Sequence, residues 1–240
     1  MRKKLFGGYF TPFEWGLWIS SSVVITLSFL ITGNDRILYL LTSLLGITSL
    51  ILIAKGNVIG QVLMVVFCLL YGVISYSYHY YGEMITYLGM SMPISIASVV
   101  TWMRHPFEGR KNEVRVGQLK GRDYLLVLLG SLGITVILGC VLYALRTENL
   151  FFSTVSVLTS GFAVLLSMKR CPIYALGYAA NDVVLIVLWV LASMENPDYL
   201  GMVICFLAFL VNDLYGFVSW TRMAKRQSNT DAAVKKDAIS

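Results

Sequence analysis

Charge is what this sequence has least of. Only 13% of its 240 residues are Asp, Glu, Lys or Arg, about half of what a soluble domain carries. The hydrophobic share is 57% and the mean hydropathy is +0.73. A water-soluble fold is excluded, because no globular core hides that much apolar surface. Histidine is nearly missing: His79 and His105 are the only two, and the spans read below put them at opposite membrane faces. The four cysteines, Cys68, Cys140, Cys171 and Cys205, form no C-x-x-C pair and read as small buried hydrophobes. H-x-x-x-H, H-E-x-x-H and G-x-S-x-G spacings are absent too. Those absences leave a metal centre or a nucleophile–base set with nothing to stand on, so neither an enzyme nor a cofactor is expected. The last three apolar runs have no interior lysine, which excludes a retinal Schiff base. Period-2 alternation is lacking, which argues against a membrane β-barrel.

What is present is a series of long apolar runs. The expected fold is all-α: a polytopic membrane protein with eight transmembrane helices over about 14–33, 36–54, 57–79, 83–103, 123–146, 149–168, 172–194 and 198–221. The first run follows MRKK but is too long for a signal peptide, and no small-residue cleavage site follows it. Eight spans place both termini on one side. That side receives seventeen of the nineteen lysines and arginines, leaving Arg36 and Arg146 opposite. The asymmetry predicts that both termini are cytoplasmic in a plasma-membrane protein. It also makes the net charge of +6 a matter of topology, so a nucleic-acid partner is not expected. RHPFEGRKNEVRVGQLKGRD (104–123) reads as a solvated cytoplasmic loop near lipid headgroups, and the tail from residue 223 to 240 as disordered.

The chain also resembles itself. Residues 36–104 and 149–222 each hold three spans. SLILIAK (49–55) matches AVLLSMK (163–169), VVTWMR (99–104) matches FVSWTR (217–222), and the middle helices share Gly60 and Gly177. One linker helix within 105–148 joins the triplets, so both enter the membrane in the same direction. The expectation is 3+1+3 parallel repeats, preceded by an extra helix within residues 1–35. This arrangement suggests a transporter with its site at the repeat interface, near mid-membrane.

Two Asn-Asp pairs lie at that depth. AANDVV puts Asn181 and Asp182 near the middle of the seventh span, and LVNDLYG puts Asn212 and Asp213 near the middle of the eighth. A charged side chain at the bilayer centre costs about 3 kcal/mol on insertion scales. The pairs could glue the two helices together or line a cavity. The carboxylates favour a cavity, since gluing needs only Ser, Thr or Asn. Asp182 shares a helix face with Tyr178 and Trp189, and Asn212 with Tyr215. A flat cationic ring stacked on such an aromatic gains up to about 2 kcal/mol when desolvated, with Trp189 the first candidate and Tyr215 the second. Gln61 is intramembrane and polar, suited to an inner vestibule. Pro93 should kink the fourth span. Trp15, Trp18, Trp102 and Trp220, and the cluster SYSYHYYG (75–82) with His79, read as interface-belt residues.

The repeat ends, the stretch LTSLLGITSLILIAKGN (41–57) and the Asn-containing middle and last helices of the second repeat are together similar to the PnuC-type vitamin transporters, which share the SWEET-like architecture. The resemblance spans residues 36–222. It implies uptake of nicotinamide riboside, with relatives for thiamine, riboflavin and deoxynucleosides. It also implies facilitated diffusion with cytoplasmic phosphorylation trapping the cargo, and a homotrimer. Members that carry nicotinamide riboside typically have W-x-x-W before the second-repeat Asn. Here those positions hold Tyr174 and Gly177, with Tyr178 one residue off. The matching first-repeat Asn is replaced within GQVLMVV (60–66). A proton- or sodium-coupled carrier using Asp182 or Asp213 is the alternative reading.

Overall fold

The computed structural model describes residues 9–32, 37–77, 80–147 and 149–237. Eight long helices run through these residues: α1 Pro12–Thr32, α2 Ile37–Ala54, α3 Val58–Ser77, α4 Tyr81–Met103, α5 Gly121–Ala144, α6 Leu150–Met168, α7 Tyr174–Glu195 and α8 Leu200–Asp237. Each is long and apolar enough to cross a bilayer, so the chain has the expected all-α, eight-span architecture. His79 lies outside the described residues.

Local chemistry explains several boundaries. Thr11-Pro12-Phe13-Glu14 is a capping box. The Glu14 amide donates to Thr11 Oγ1 at 3.2 Å, the Thr11 amide donates to Glu14 Oε2 at 2.6 Å, and Pro12 occupies the first helical position. The turn after α2 is a Schellman motif. Gly56 takes φ +68° while its amide bonds Ile53 O, and the Asn57 amide bonds Leu52 O. The turn after α6 repeats that motif with Arg170 at φ +60° in the glycine's place, at a cost of about 1–2 kcal/mol. In α4 the ring of Pro93 cannot donate to the preceding turn. The helix widens to a π-helical stretch over Thr86–Ser91 instead of breaking, with the Met92 amide reaching back to Tyr87 O.

The helices close into a ring. α2 packs on α3 and α3 on α4. α6 packs on α7 and α7 on α8. The two triplets then meet through α4 on α6 and α2 on α8. First and middle helices approach closely at matching glycines: a Cβ on Gly60 would sit 2.6 Å from the Ile53 amide nitrogen, and one on Gly177 would sit 2.9 Å from Ala163 Cβ. The linker α5 leans on α6, and α1 on α2 and α8. Only 22% of the α1 span and 17% of the α5 span are buried, against half or more of α2, α3, α6, α7 and α8. α1 and α5 are therefore outriggers, and the six-helix ring is what can enclose a site.

Two expectations are corrected at the end of the ring where α1 begins. The 104–123 connection is not a free loop. Pro106–Phe107 and Arg110–Val114 form an antiparallel hairpin, with Phe107 and Val114 buried. The Val114 amide bonds Gly56 O, and the Gly117 amide bonds Arg170 O, both at 2.9 Å, so the segment stitches the two Schellman turns together. The tail is helical up to Asp237 where disorder was expected. At 38 residues α8 is about 57 Å long, far more than a bilayer core of about 30 Å, and its projecting end docks on the hairpin. Buried Gln227 accepts from the Val116 amide at 2.8 Å and donates to Val114 O at 3.0 Å and Glu113 Oε1 at 2.8 Å. Arg226 pairs with Glu113, and Arg115 makes two bonds to Asp231 at 3.1 Å. Composition suggested disorder because it sees a polar segment and not the partner that satisfies it.

Candidate functional site

At the centre of the ring lies a cavity of about 30 Å³. α2 contributes Leu50; α3 contributes Met64, Phe67 and Cys68; α4 contributes Tyr87, Ser91 and Ser95. α6 contributes Ser160, α7 contributes Tyr178, Asn181 and Asp182, and α8 contributes Phe209 and Asp213. All six ring helices take part, and neither outrigger does. The volume suffices for a water or two and not for a vitamin, so this is a closed state.

The polar groups face one another. Asn181 Oδ1 accepts from Ser156 Oγ at 3.1 Å and Thr159 Oγ1 at 3.0 Å. With its oxygen occupied on α6, Asn181 has its two amide N–H donors left for the cavity. Asp182 and Asp213 meet across the α7–α8 seam within hydrogen-bonding reach of each other, and Asp182 Oδ2 has no partner among the described residues. Two carboxyls can share such a bond only with a proton between them. The cavity thus presents amide donors beside carboxyl acceptors. Its aromatic walls are Tyr178, Tyr87, Phe67 and Phe209.

Of the residues singled out from the sequence, Asn181, Asp182, Asp213 and Tyr178 are brought together here. The others are not. Asn212 turns to α1, where its amide donates to Ser21 Oγ at 2.9 Å, and it also donates to Ala208 O of its own helix at 2.8 Å. Neighbouring helical residues point about 100° apart, so facing the cavity with Asp213 sends Asn212 elsewhere. Trp189 sits two turns beyond Asp182, fully buried, with its N–H on Tyr71 Oη at 3.3 Å and its ring against Tyr80 at 4.8 Å. The Tyr215 hydroxyl donates to Glu14 Oε1 at 2.7 Å, and Glu14 also pairs with Lys55 at 3.0 Å. Tyr174 stacks edge-on against Trp220 at 5.1 Å, below Tyr178. Gln61 donates to Ser167 Oγ at 2.9 Å and ties α3 to α6.

The cavity is sealed towards the hairpin end by a pair of tryptophans assigned from sequence to the interface belt. Trp102 and Trp220 are 0% exposed, with ring centroids 5.3 Å apart. Trp102, on the last helix of the first triplet, donates to Ser167 O of the second at 2.9 Å. Trp220, on the last helix of the second, donates to Ile53 O of the first at 2.8 Å. Ile53 and Ser167 occupy matching repeat positions, so the clasp is reciprocal. Span-end position suggested the belt; a helix-end carbonyl of the opposite triplet within reach of each indole N–H draws both side chains inward instead. Tyr80 in the outer aromatic cluster is buried too, packed on Trp189.

Sequence reasoning missed Tyr87, Ser91, Ser95 and the wall residues of α3 and α8. The spacing Ser91, Ser95, Ser98 was a readable helical face in SMPISIAS. It also missed Glu83, one turn before Tyr87 and 1% exposed.

A family model described as nicotinamide mononucleotide transporter matches residues 36–222. The nicotinamide riboside transporter PnuC of Neisseria mucosa is 27% identical over 232 residues, covering 95% of this chain and 87% of that one. The nicotinamide riboside transporter PnuC of Haemophilus influenzae is 22% identical over 227 residues, covering 93% and 96%. The crystal structure of the vitamin B3 transporter PnuC superposes with a TM-score of 0.81 at 26% identity, covering 93% of this chain and 96% of that one. The family match takes in every helix of the ring, and the chain belongs to the nicotinamide mononucleotide transporter family.

Proposed function

We propose that this membrane transporter carries nicotinamide riboside and binds it in the central cavity. One observation carries the reading. Asn181 N–H donors and the Asp182–Asp213 carboxyls stand together in a cavity with aromatic walls. A primary carboxamide offers the complement, an oxygen that accepts and an NH2 that donates, and a pyridinium ring supplies a flat cation for the aromatic faces and the carboxyls. Tyr178 and Tyr87 take the stacking role that W-x-x-W suggests in the resembling members. Two named relatives are nicotinamide riboside transporters, which supports the same cargo.

A cavity of about 30 Å³ must open to load, so transport proceeds by alternating access, with the six ring helices parting at one end and then the other. We place the chain in the plasma membrane with the hairpin end in the cytoplasm, as the distribution of Lys and Arg supports. Passive passage with intracellular phosphorylation as the trap, and a homotrimeric assembly, complete the reading. Light scattering of the detergent-solubilised protein checks the trimer.

Calorimetry on the purified protein tests the cargo, with nicotinamide riboside, thiamine, riboflavin and deoxyadenosine side by side. Saturable binding of nicotinamide riboside that is lost in Asn181→Leu and kept in Asn212→Leu is the expected result. Binding of another cargo alone would move the specificity within the family. The close Asp182–Asp213 pair favours a second reading, coupling to protons or sodium. Uptake into vesicles that follows an imposed pH or sodium gradient would establish it.

A further inference from the structure

Glu83 stands apart from everything described so far. It lies in the first turn of α4, 1% exposed, and neither carboxyl oxygen has a hydrogen-bond partner among the described residues. The Ser156 hydroxyl is within reach of it, but that hydroxyl has one proton and Asn181 Oδ1, 3.1 Å away, competes for it. A buried carboxylate without a partner is costly, and inside a membrane span it marks a pathway more often than a scaffold.

Its surroundings are aromatic. Tyr87 is four residues on, on the same helix face and about 6 Å closer to the cavity, which it lines. Tyr71 and Tyr87 both lie within the field of the Glu83 carboxyl, with their rings 4.4 Å apart. Tyr71 in turn holds the Trp189 N–H, and Trp189 packs on Tyr80. The cluster fills the end of the ring opposite the hairpin. Any cargo passing between that end and the cavity must part these rings beside Glu83. Aromatic faces with a carboxylate at their edge are the arrangement that receives an organic cation.

We propose that Glu83, with Tyr71, Tyr87 and Trp189, forms a second, transient binding station for a cationic aromatic ring, on the path between the far end and the central site. The ring displaces aromatic–aromatic contacts with cation–π contacts and gives Glu83 a cationic partner, which no ion pair among the described residues supplies. The station selects for charge, whereas the central site reads the carboxamide. Asn181 links the two, because it lines the cavity and shares Ser156 with Glu83. The cargo in this inference rests on the reading of the central site proposed above.

Glu83→Gln tests it in proteoliposomes, with nicotinamide riboside compared against its dihydro form, which has the same outline and no positive charge. Glu83→Gln should raise KM for the cation by about tenfold, keep its maximal rate within about twofold, and leave the neutral form unaffected. Glu83→Asp should keep the discrimination. Equal effects on both cargoes, or none on either, would overturn the station. A second measurement needs no transport. 1-Methylnicotinamide, a pyridinium that quenches indole on stacking, is titrated into the purified protein and the Trp189→Phe signal is subtracted. A saturable Trp189 quench that persists in Asn181→Leu and weakens about tenfold in Glu83→Gln is expected. A quench merely linear in concentration, or the same in Glu83→Gln, would count against the proposal. Should the wild type fail to take up nicotinamide riboside, the cargo reading falls, and the quench still decides on Glu83.

Discussion

At the hairpin end, Trp102 and Trp220 hang by their N–H groups from backbone carbonyls of the opposite triplet, at 2.9 and 2.8 Å. At the far end, Trp189 has its N–H 3.3 Å from a tyrosine hydroxyl. The acceptors explain the difference. Ile53 and Ser167 end their helices, where carbonyls lack intrahelical partners. Each receives one bond from its Schellman turn, from Gly56 and Arg170 respectively, and one lone pair is left for a tryptophan. A helix-end carbonyl is fixed in space, whereas a phenol can rotate. The hairpin end is further tied by Gln227 and the Arg115–Asp231 pair, and the far end is held mainly by ring contacts. A carrier so built keeps one closure specified by directional bonds and the other by packing, and its far end should open more readily.

The largest effect should come from removing one arm of the clasp. A fully buried tryptophan cut to alanine costs about 3–5 kcal/mol in lost contact and cavity, and in Trp220→Ala that cost falls on the closed hairpin end. Cys68 is the native reporter, since it lines the cavity and is buried. In a background with Cys140, Cys171 and Cys205 changed to serine, a membrane-impermeant thiol reagent applied from the hairpin side should modify Cys68 at least about 100-fold faster in Trp220→Ala. Acceleration from the far side instead would reverse the assignment of the two ends.

Phenylalanine sharpens the comparison by keeping the ring and deleting the N–H. Trp102→Phe and Trp220→Phe should each weaken the closure by about 1 kcal/mol, roughly a fivefold faster modification of Cys68 from the hairpin side. Because the two rings touch, the double variant should depart from the sum of the singles. Strict additivity in the labelling rates would show that the bonds act independently.

How much of this was readable in advance depends on what each residue had to reveal. Span number and repeat order follow from run length and charge, which do not depend on neighbours. Depth is linear in residue number, so Asn181, Asp182 and Asp213 were read at one level, and the three do line one cavity. Azimuth is not linear, because it is set by which helices flank the one in question. Asn212 shares a depth with Asp213 yet faces Ser21 on α1. Trp189 shares a face with Asp182 but lies about 10 Å further along the helix, outside the cavity. The tryptophan clasp was visible only as matched repeat ends, and their reciprocal bonds require knowing that α4 meets α6 and α2 meets α8. Glu83 was overlooked because a carboxylate two residues into a span looks like a headgroup contact.

Trp189→Phe is the counterpart at the far end. Its N–H bond is longer and its acceptor adjustable, so the loss should stay below about 1 kcal/mol, less than about fivefold in Cys68 labelling from the far side. A change as large as that of Trp220→Phe would erase the distinction drawn between the ends, and would mean that the Trp189–Tyr71 bond is as directional as the clasp.

The smallest effect should come from Arg115→Ala. Arg115 and Asp231 are each about half exposed, at 49% and 47%, so water competes for both and the pair contributes at most about 1 kcal/mol even with two bonds. Gln227 would still pin α8 to the hairpin through its three bonds. Cys68 labelling from the hairpin side should therefore rise by a factor of a few at low ionic strength, and the difference from wild type should vanish in high salt as the ion pair is screened. Persistence of the difference in high salt would assign Arg115 a packing role, for its guanidinium also lies over the Phe107 ring at 5.6 Å, a contact that salt screens less when the ring is buried.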